Sequence, residues 1–351
     1  MSEPEIICER RGAAGCVLLN RPGALNALTP GMTRALTEAL VAWADDPAIE
    51  RVVVRGAGDR AFCAGGDIRL IYEQGRAGDH ASQLDFWREE YRLNRMIARY
   101  PKPYVALMDG FVMGGGAGVS IHGSRRVAGD RLGFAMPEVS IGFFPDVGAT
   151  WFLPRLPGGV GAYLGLTGAR IGAGDACATG LATAYVPSER FNALAEALTA
   201  PGDTDALIAR FVAPAPAPSL AAHRAATDAF ADAPDPLTLL ARLDGMDDEF
   251  PRETARLLRT KSPTSVSIGL RQMRAGVGLS IEEALRVEFR IVSRICRMPD
   301  FYEGVRAAII DRTRPPIWNP GRFEDIDPTA IDACFASLGV DDLTFPDGVA
   351  S

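Results

Sequence analysis

Short apolar runs that alternate with helix-periodic stretches restrict the first half of this chain to a fold in which helices cover a buried sheet. Residues 16–19, 52–54 and 104–108 are continuous apolar segments, the pattern of strands shielded on both faces. Between the first two, Thr29 is placed to cap a helix and Pro30 suits its first position. Met32, Ala35, Leu36, Ala39, Leu40 and Trp43 then recur at helical spacing. Strands separated by helices predict an α/β class. Beyond the PAPAP stretch at 214–218, an extended linker signal, strand patterns fade. Ser280 and Glu283 there form a capping box ahead of Ile281, Ala284, Leu285, Val292 and Ile295.

Charge and cysteine usage narrow the function. A net charge of −7 without a basic run argues against a nucleic-acid partner. No apolar stretch reaches membrane-spanning length. The first fifteen residues carry Glu3, Glu5, Glu9, Arg10 and Arg11 and no apolar core, so no secretory signal is visible and a cytoplasmic location is expected. Six cysteines without a CxxC pair read as reduced thiols.

Three segments hold more glycine, or more carboxylate among apolar residues, than packing requires. In AFCAGGDI (61–68), Gly65 and Gly66 let the backbone turn with its N–H groups uncovered, and Asp67 can cap a following helix. In GFVMGGGAGVS (110–120), three glycines followed by Ala117, Val119 and Ile121 predict a helix whose N-terminus is bare. Such an end suits an anion or a developing oxyanion. The order Gly114, Gly116, Gly118 does not fit a dinucleotide fingerprint. In FAMPEVSIGFFPDVGATWFLPRL (134–156), Glu138 and Asp146 lie among Phe134, Met136, Val139, Ile141, Phe143, Phe144 and Val147. Burial raises a carboxylate's pKa and equips it as base, acid or nucleophile. A helix cap or an ion pair would be the structural alternative for Glu138, and an N-cap for Asp146.

Other chemistries find little support. His80, His122 and His223 have no ligand-like spacing, so no metal is expected. There is no G-x-S-x-G elbow. His122 lacks a nucleophile partner and is expected at a helix end. Nothing near Cys63 in sequence argues for an activated thiol.

Together the three segments resemble the crotonase (enoyl-CoA hydratase/isomerase) superfamily, and the similarity runs over most of the chain. LNRPGALNALT (19–29), AFCAGGDI, KPYVALMDGFVMGGG (102–116) and FAMPE look like its signature strings. The resemblance implies a spiral of ββα units over about residues 1–200, followed by a mainly helical region over 201–351. It also implies an acyl-CoA substrate whose thioester carbonyl sits in an oxyanion hole made by the backbone amides of Gly66 and Gly115.

Departures from the hydratase pattern point to one branch. Hydratases use two glutamates; the second corresponds to Glu138, but the position of the first holds Gly118. Asp146, in FPDVG, makes the arrangement similar to the 3-hydroxyisobutyryl-CoA hydrolases. FWREEYRLN (86–94), KSPTSVSIGLRQMRAG (261–276) and FYEGVRAAIIDRTRPPIWNP (301–320) match the same branch.

The resemblance implies that Glu138 is nucleophile or general base, that Asp146 binds the 3-hydroxyl, and that Glu90 contacts substrate. Arg21 and Arg60 are weaker candidates for the CoA phosphates. No cofactor is implied, since CoA is part of the substrate, and the products belong to valine breakdown. A homo-oligomer is compatible with the sequence. Gly23 replaces a common family lysine on the CoA side, and Ala149 and Thr150 replace glycines beside the acyl pocket. The alternatives are a hydratase or isomerase of the same fold, or an acyl-CoA-binding protein without turnover.

Overall fold

The computed structural model describes residues 3–346. In chain order its strands are β1 (Ile6–Arg11), β2 (Ala14–Leu19), β3 (Arg51–Gly56), β4 (Ala61–Cys63), β5 (Tyr104–Met108), β6 (Phe111–Met113), β7 (Arg125–Ala128), β8 (Gly133–Ala135) and β9 (Ala184–Tyr185). They form two sheets, ordered β1-β2-β3-β5-β7-β9 and β4-β6-β8. Among the strand pairs of the described residues, the β1/β2 hairpin is antiparallel and the others are parallel. From β3 onward each pair of consecutive strands gives its first member to the large sheet and its second to the small one. That alternation is the spiral of ββα units.

Local sequence explains the helices. Helix α1 (Pro30–Ala44) begins where Thr29 accepts a hydrogen bond from the Met32 amide, and it buries Met32, Leu36, Leu40 and Trp43. Helix α2 (Ile68–Arg76) is capped by Asp67, which accepts from Leu70 N. Helix α3 (His80–Ala98) turns Phe86, Trp87, Glu90, Tyr91 and Asn94 inward. Beyond β9 the chain is helical; helix Ile281–Ile295 starts with the Ser280/Glu283 capping box.

One apolar core joins the β4-β6-β8 layer to these helices, with Phe62, Trp87, Phe134, Phe143, Leu270 and Phe289 all buried in it. Each large side chain withdrawn from water contributes roughly 1.5–3 kcal/mol before conformational entropy is set against it.

One local expectation changes, while the turn at Gly65 leaves a short strand of its own, β4. The helix after the glycine triplet is only α4 (Gly115–Gly118), not one reaching Ile121. Three glycines in four helical positions carry too little helix propensity to extend it.

Candidate active site

The three glycine and carboxylate segments meet because each follows a strand of the small parallel sheet. Gly66 follows β4, Gly115 follows β6 and Glu138 follows β8, with β6 in the middle. Parallel strands place their carboxyl ends on one edge, where α/β folds bind ligands. Gly65 has φ +114 and Gly114 φ +48, conformations that L side chains rarely adopt, and these let the turns approach each other.

A Cβ placed on Gly115 would lie 3.2 Å from the Gly66 nitrogen, and one on Gly114 would lie 3.1 Å from Glu138 Oε1. Among the described residues, neither the Gly66 nor the Gly115 N–H is donated to a backbone acceptor. Two free amides therefore converge beside a carboxylate.

These groups line a cavity of about 310 Å³ that also receives Glu90, Asp146, Trp87 and Phe143. Trp87 stacks on Phe143 with ring centroids 5.6 Å apart, giving one wall an aromatic surface. Ala308 and Ile309, on the helical turn Arg306–Ile310, line the cavity as well. A larger, more open groove of about 640 Å³ lies between Pro234 and Asp332. Its acids are already engaged, Asp235 in capping a helix and Asp332 in pairing with Arg271, which leaves the smaller cavity as the candidate site.

The electrostatics are unusual. Glu138, Asp146 and Glu90 are 6%, 5% and 2% exposed, and no cationic side chain lines the cavity among the described residues. Burial, then the charge of Asp146, holds Glu138 well above the usual carboxylate range. Glu90 is raised for the same two reasons, in the same order. Burial pushes Asp146 up to about 7 against the hydrogen bond that its Oδ2 accepts from Tyr91 OH at 2.9 Å. Such a cluster titrates as a unit and shares protons.

Glu138 Oε2 and Glu90 Oε1 have no partner among the described residues. Glu138 thus meets no cation, and Asp146 is not the cap of α5 (Ala149–Phe152), which starts from Gly148. Neither structural alternative holds.

The remaining candidates are placed differently. Arg21 pairs with Glu5 and Asp67 and donates to Ala27 O, so its guanidinium ties the Asp67 cap in place. Arg60 is exposed and does not line the cavity. Burial pushes the Cys63 thiol up to about 12, which removes it as a nucleophile. Gly118 accounts for the missing glutamate. A Cβ there would stand 2.6 Å from Asn94 Nδ2 and 2.9 Å from Val147 Cβ, leaving no room for a side chain.

Sequence reasoning missed Tyr91 and Glu288. Tyr91 directly follows Glu90 in the branch-specific string. Glu288 occupies a core-facing position among Leu285, Phe289 and Val292 on an amphipathic helix, and an acid on that face is the signal that could have found it. Its two oxygens accept the N–H groups of Gly148 and Thr150 at 2.7 and 2.8 Å. Burial still pushes it up to about 8.

Residues 14–335 match the family model described as enoyl-CoA hydratase/isomerase. The chain is 42% identical to the mitochondrial 3-hydroxyisobutyryl-CoA hydrolase of Xenopus tropicalis, across 98% of this chain and 91% of that one. It is 38% identical to the Homo sapiens protein of the same name, across 97% and 91%. Among solved structures, a carnitinyl-CoA dehydratase from Mycobacterium thermoresistibile superposes with a TM-score of 0.93 at 39% identity, covering 98% of this chain and 99% of that one. An enoyl-CoA hydratase from Rhodobacter sphaeroides gives 0.91 at 41% identity, covering 97% and 100%.

The names of the curated relatives overturn the cytoplasmic expectation, since they are called mitochondrial. That expectation rested on the lack of an apolar leader, whereas mitochondrial addresses are amphipathic and arginine-rich, so an apolar core is the wrong signal to seek.

Proposed function

This chain belongs to the enoyl-CoA hydratase/isomerase family, and from that premise we propose that Glu138 cleaves a thioester whose carbonyl oxygen rests between the amides of Gly66 and Gly115. The enzyme is a 3-hydroxyisobutyryl-CoA hydrolase-type thioester hydrolase, releasing 3-hydroxyisobutyrate and CoA. One observation carries the assignment of roles: two undonated amides from separate turns lie beside the buried Glu138 carboxylate, whose Oε1 approaches the Gly114 turn and whose Oε2 has no partner among the described residues.

In the tetrahedral state the carbonyl oxygen takes on negative charge and gains hydrogen bonds from both amides. A single donor of this kind in a water-excluded site is worth about 10²–10³ in rate. Glu138 attacks the carbonyl carbon, expelling CoA thiolate and leaving a mixed anhydride that water then opens. In the alternative, it removes a proton from water as that water attacks. Either route requires the ionised form, which burial without a cation makes strongly basic. Asp146, held by Tyr91, accepts a hydrogen bond from the 3-hydroxyl and orients the acyl group, with Glu90 beside it. The reaction calls for no cofactor beyond the substrate's own CoA.

The two solved relatives, a carnitinyl-CoA dehydratase and an enoyl-CoA hydratase, favour a second reading, reversible hydration of an enoyl thioester. The absence of space at Gly118 for the hydratases' other glutamate weighs against it. Free-thiol release across 3-hydroxyisobutyryl-, 3-hydroxypropionyl-, isobutyryl- and crotonyl-CoA tests the proposal. Preference for the two 3-hydroxyacyl thioesters is expected. Loss of the enoyl chromophore without thiol would favour hydration, and binding without any product would refute catalysis.

A further inference from the structure

The aspartate that reads the hydroxyl sits on a turn its own residues disfavour. Val147, the next residue, has φ +53, a left-handed conformation that is a genuine outlier for a β-branched side chain. Polar side chains from three distant parts of the chain grip this turn. Glu288, on helix Ile281–Ile295, accepts the amides of Gly148 and Thr150, one on each carboxylate oxygen. Gln272, on helix Pro263–Ala275, donates to Pro145 O and to Thr150 Oγ1. His122 Nε2 donates to Val147 O at 2.7 Å. Glu288 and Gln272 are fully buried, and neither lines the cavity.

A buried glutamate with no cation costs stability unless its hydrogen bonds do something that an apolar residue could not. Here both of its bonds fall on the segment that directly follows Asp146. We infer that Glu288, assisted by Gln272, is a positioning residue that fixes Asp146 for recognition of the 3-hydroxyl, so that these two side chains set substrate specificity without touching substrate. This rests on the hydroxyl-binding role proposed for Asp146. Glutamine at 288 keeps the shape but turns an amide NH₂ toward one of the two backbone N–H donors, and methionine at 272 removes both donations from that side.

The test is the ratio of kcat/KM for 3-hydroxyisobutyryl-CoA to that for isobutyryl-CoA in Glu288→Gln, Asp146→Asn and the double variant, with thermal unfolding recorded alongside. A shortage of folded enzyme lowers both substrates equally and leaves the ratio unmoved. Glu288→Gln is expected to lower the ratio about tenfold, the upper end of what one neutral hydrogen bond contributes. The double variant is expected to fall no further than Asp146→Asn alone. A ratio that falls in Asp146→Asn but stays at the wild-type value in Glu288→Gln, or additive losses in the double variant, overturns the positioning role while sparing the Asp146 assignment. An unchanged ratio in Asp146→Asn sinks both. If Glu288→Gln does not fold, Gln272→Met carries the same test: a lowered ratio supports the clamp and an unaltered one refutes it.

Discussion

Replacing Tyr91 by phenylalanine should move the pH dependence of hydroxyacyl recognition without rebuilding the site. The Tyr91 ring is fully buried and meets Phe289 edge-on, and only its hydroxyl touches Asp146, at 2.9 Å. Phenylalanine keeps the packing and deletes one donor. A hydrogen bond to a charged acceptor is worth about 1.5–3 kcal/mol, against about 1 kcal/mol for a neutral one. The ionised form of Asp146 therefore loses about 1 kcal/mol more than the protonated form, which raises its pKa by roughly one unit. Wild-type Asp146 stands at about 7 because burial lifts it while this bond restrains it.

The assay is kcat/KM against pH for 3-hydroxyisobutyryl-CoA and for isobutyryl-CoA. The acid limb specific to the hydroxylated substrate should shift from near 7 to roughly 8 in Tyr91→Phe. The limb shared by both substrates, set by the remaining carboxylates, should shift much less. An unmoved hydroxyl-specific limb would show that substrate does not read the ionised Asp146, or that Tyr91 does not govern its titration.

Stability should depend on pH in a sense opposite to that of an ordinary surface acid. Asp146 rises from 3.8 unfolded to about 7 folded, so the folded state holds the proton more tightly. Its contribution is most favourable below the unfolded value and is lost as pH rises toward 7, by up to about 4 kcal/mol. Asp146→Asn should therefore gain Tm relative to wild type between pH 5 and pH 8, and a constant difference would refute this. Gly115→Ala puts a methyl group 3.2 Å from the Gly66 nitrogen and 2.5 Å from Glu90 Oε1. Thiol release should fall about 10²–10³-fold, the scale of one lost oxyanion donor, and near-normal turnover would contradict the assignment. Gly118→Ala should lower stability by about 1–3 kcal/mol through overpacking against Asn94 and Val147. Gly118→Glu should gain no hydration of crotonyl-CoA, and spectrophotometric loss of the enoyl band would disprove that steric account.

Signals confined to one local stretch were legible in the sequence. The caps at Thr29 and Asp67 and the box at Ser280 depend on neighbours within a turn of helix, and each appears as expected. The small sheet was harder, because β4, β6 and β8 are three residues each, too short to show a strand period. Yet that sheet brings Gly66, Gly115 and Glu138 together. Their glycine and apolar contexts marked the segments that this sheet assembles, and resemblance to the crotonase family joined them. The network around Asp146 was invisible because its members are far apart in the chain: Tyr91 on α3, His122 beyond α4, and Gln272 and Glu288 on the late helices. No periodicity links such positions; only the folded backbone does.

The proposed reaction requires the side chain of Glu138 to act at the carbon whose oxygen the two glycine amides hold. Steady-state thiol release from 3-hydroxyisobutyryl-CoA by Glu138→Gln, with an unfolding transition matching the native enzyme, tests this most directly. Glutamine fills the same space and can neither attack the carbonyl nor take a proton from water. Turnover should fall at least about 10³-fold, at the strong end of what a single nucleophile or base contributes. Turnover within a few-fold of wild type would contradict the account.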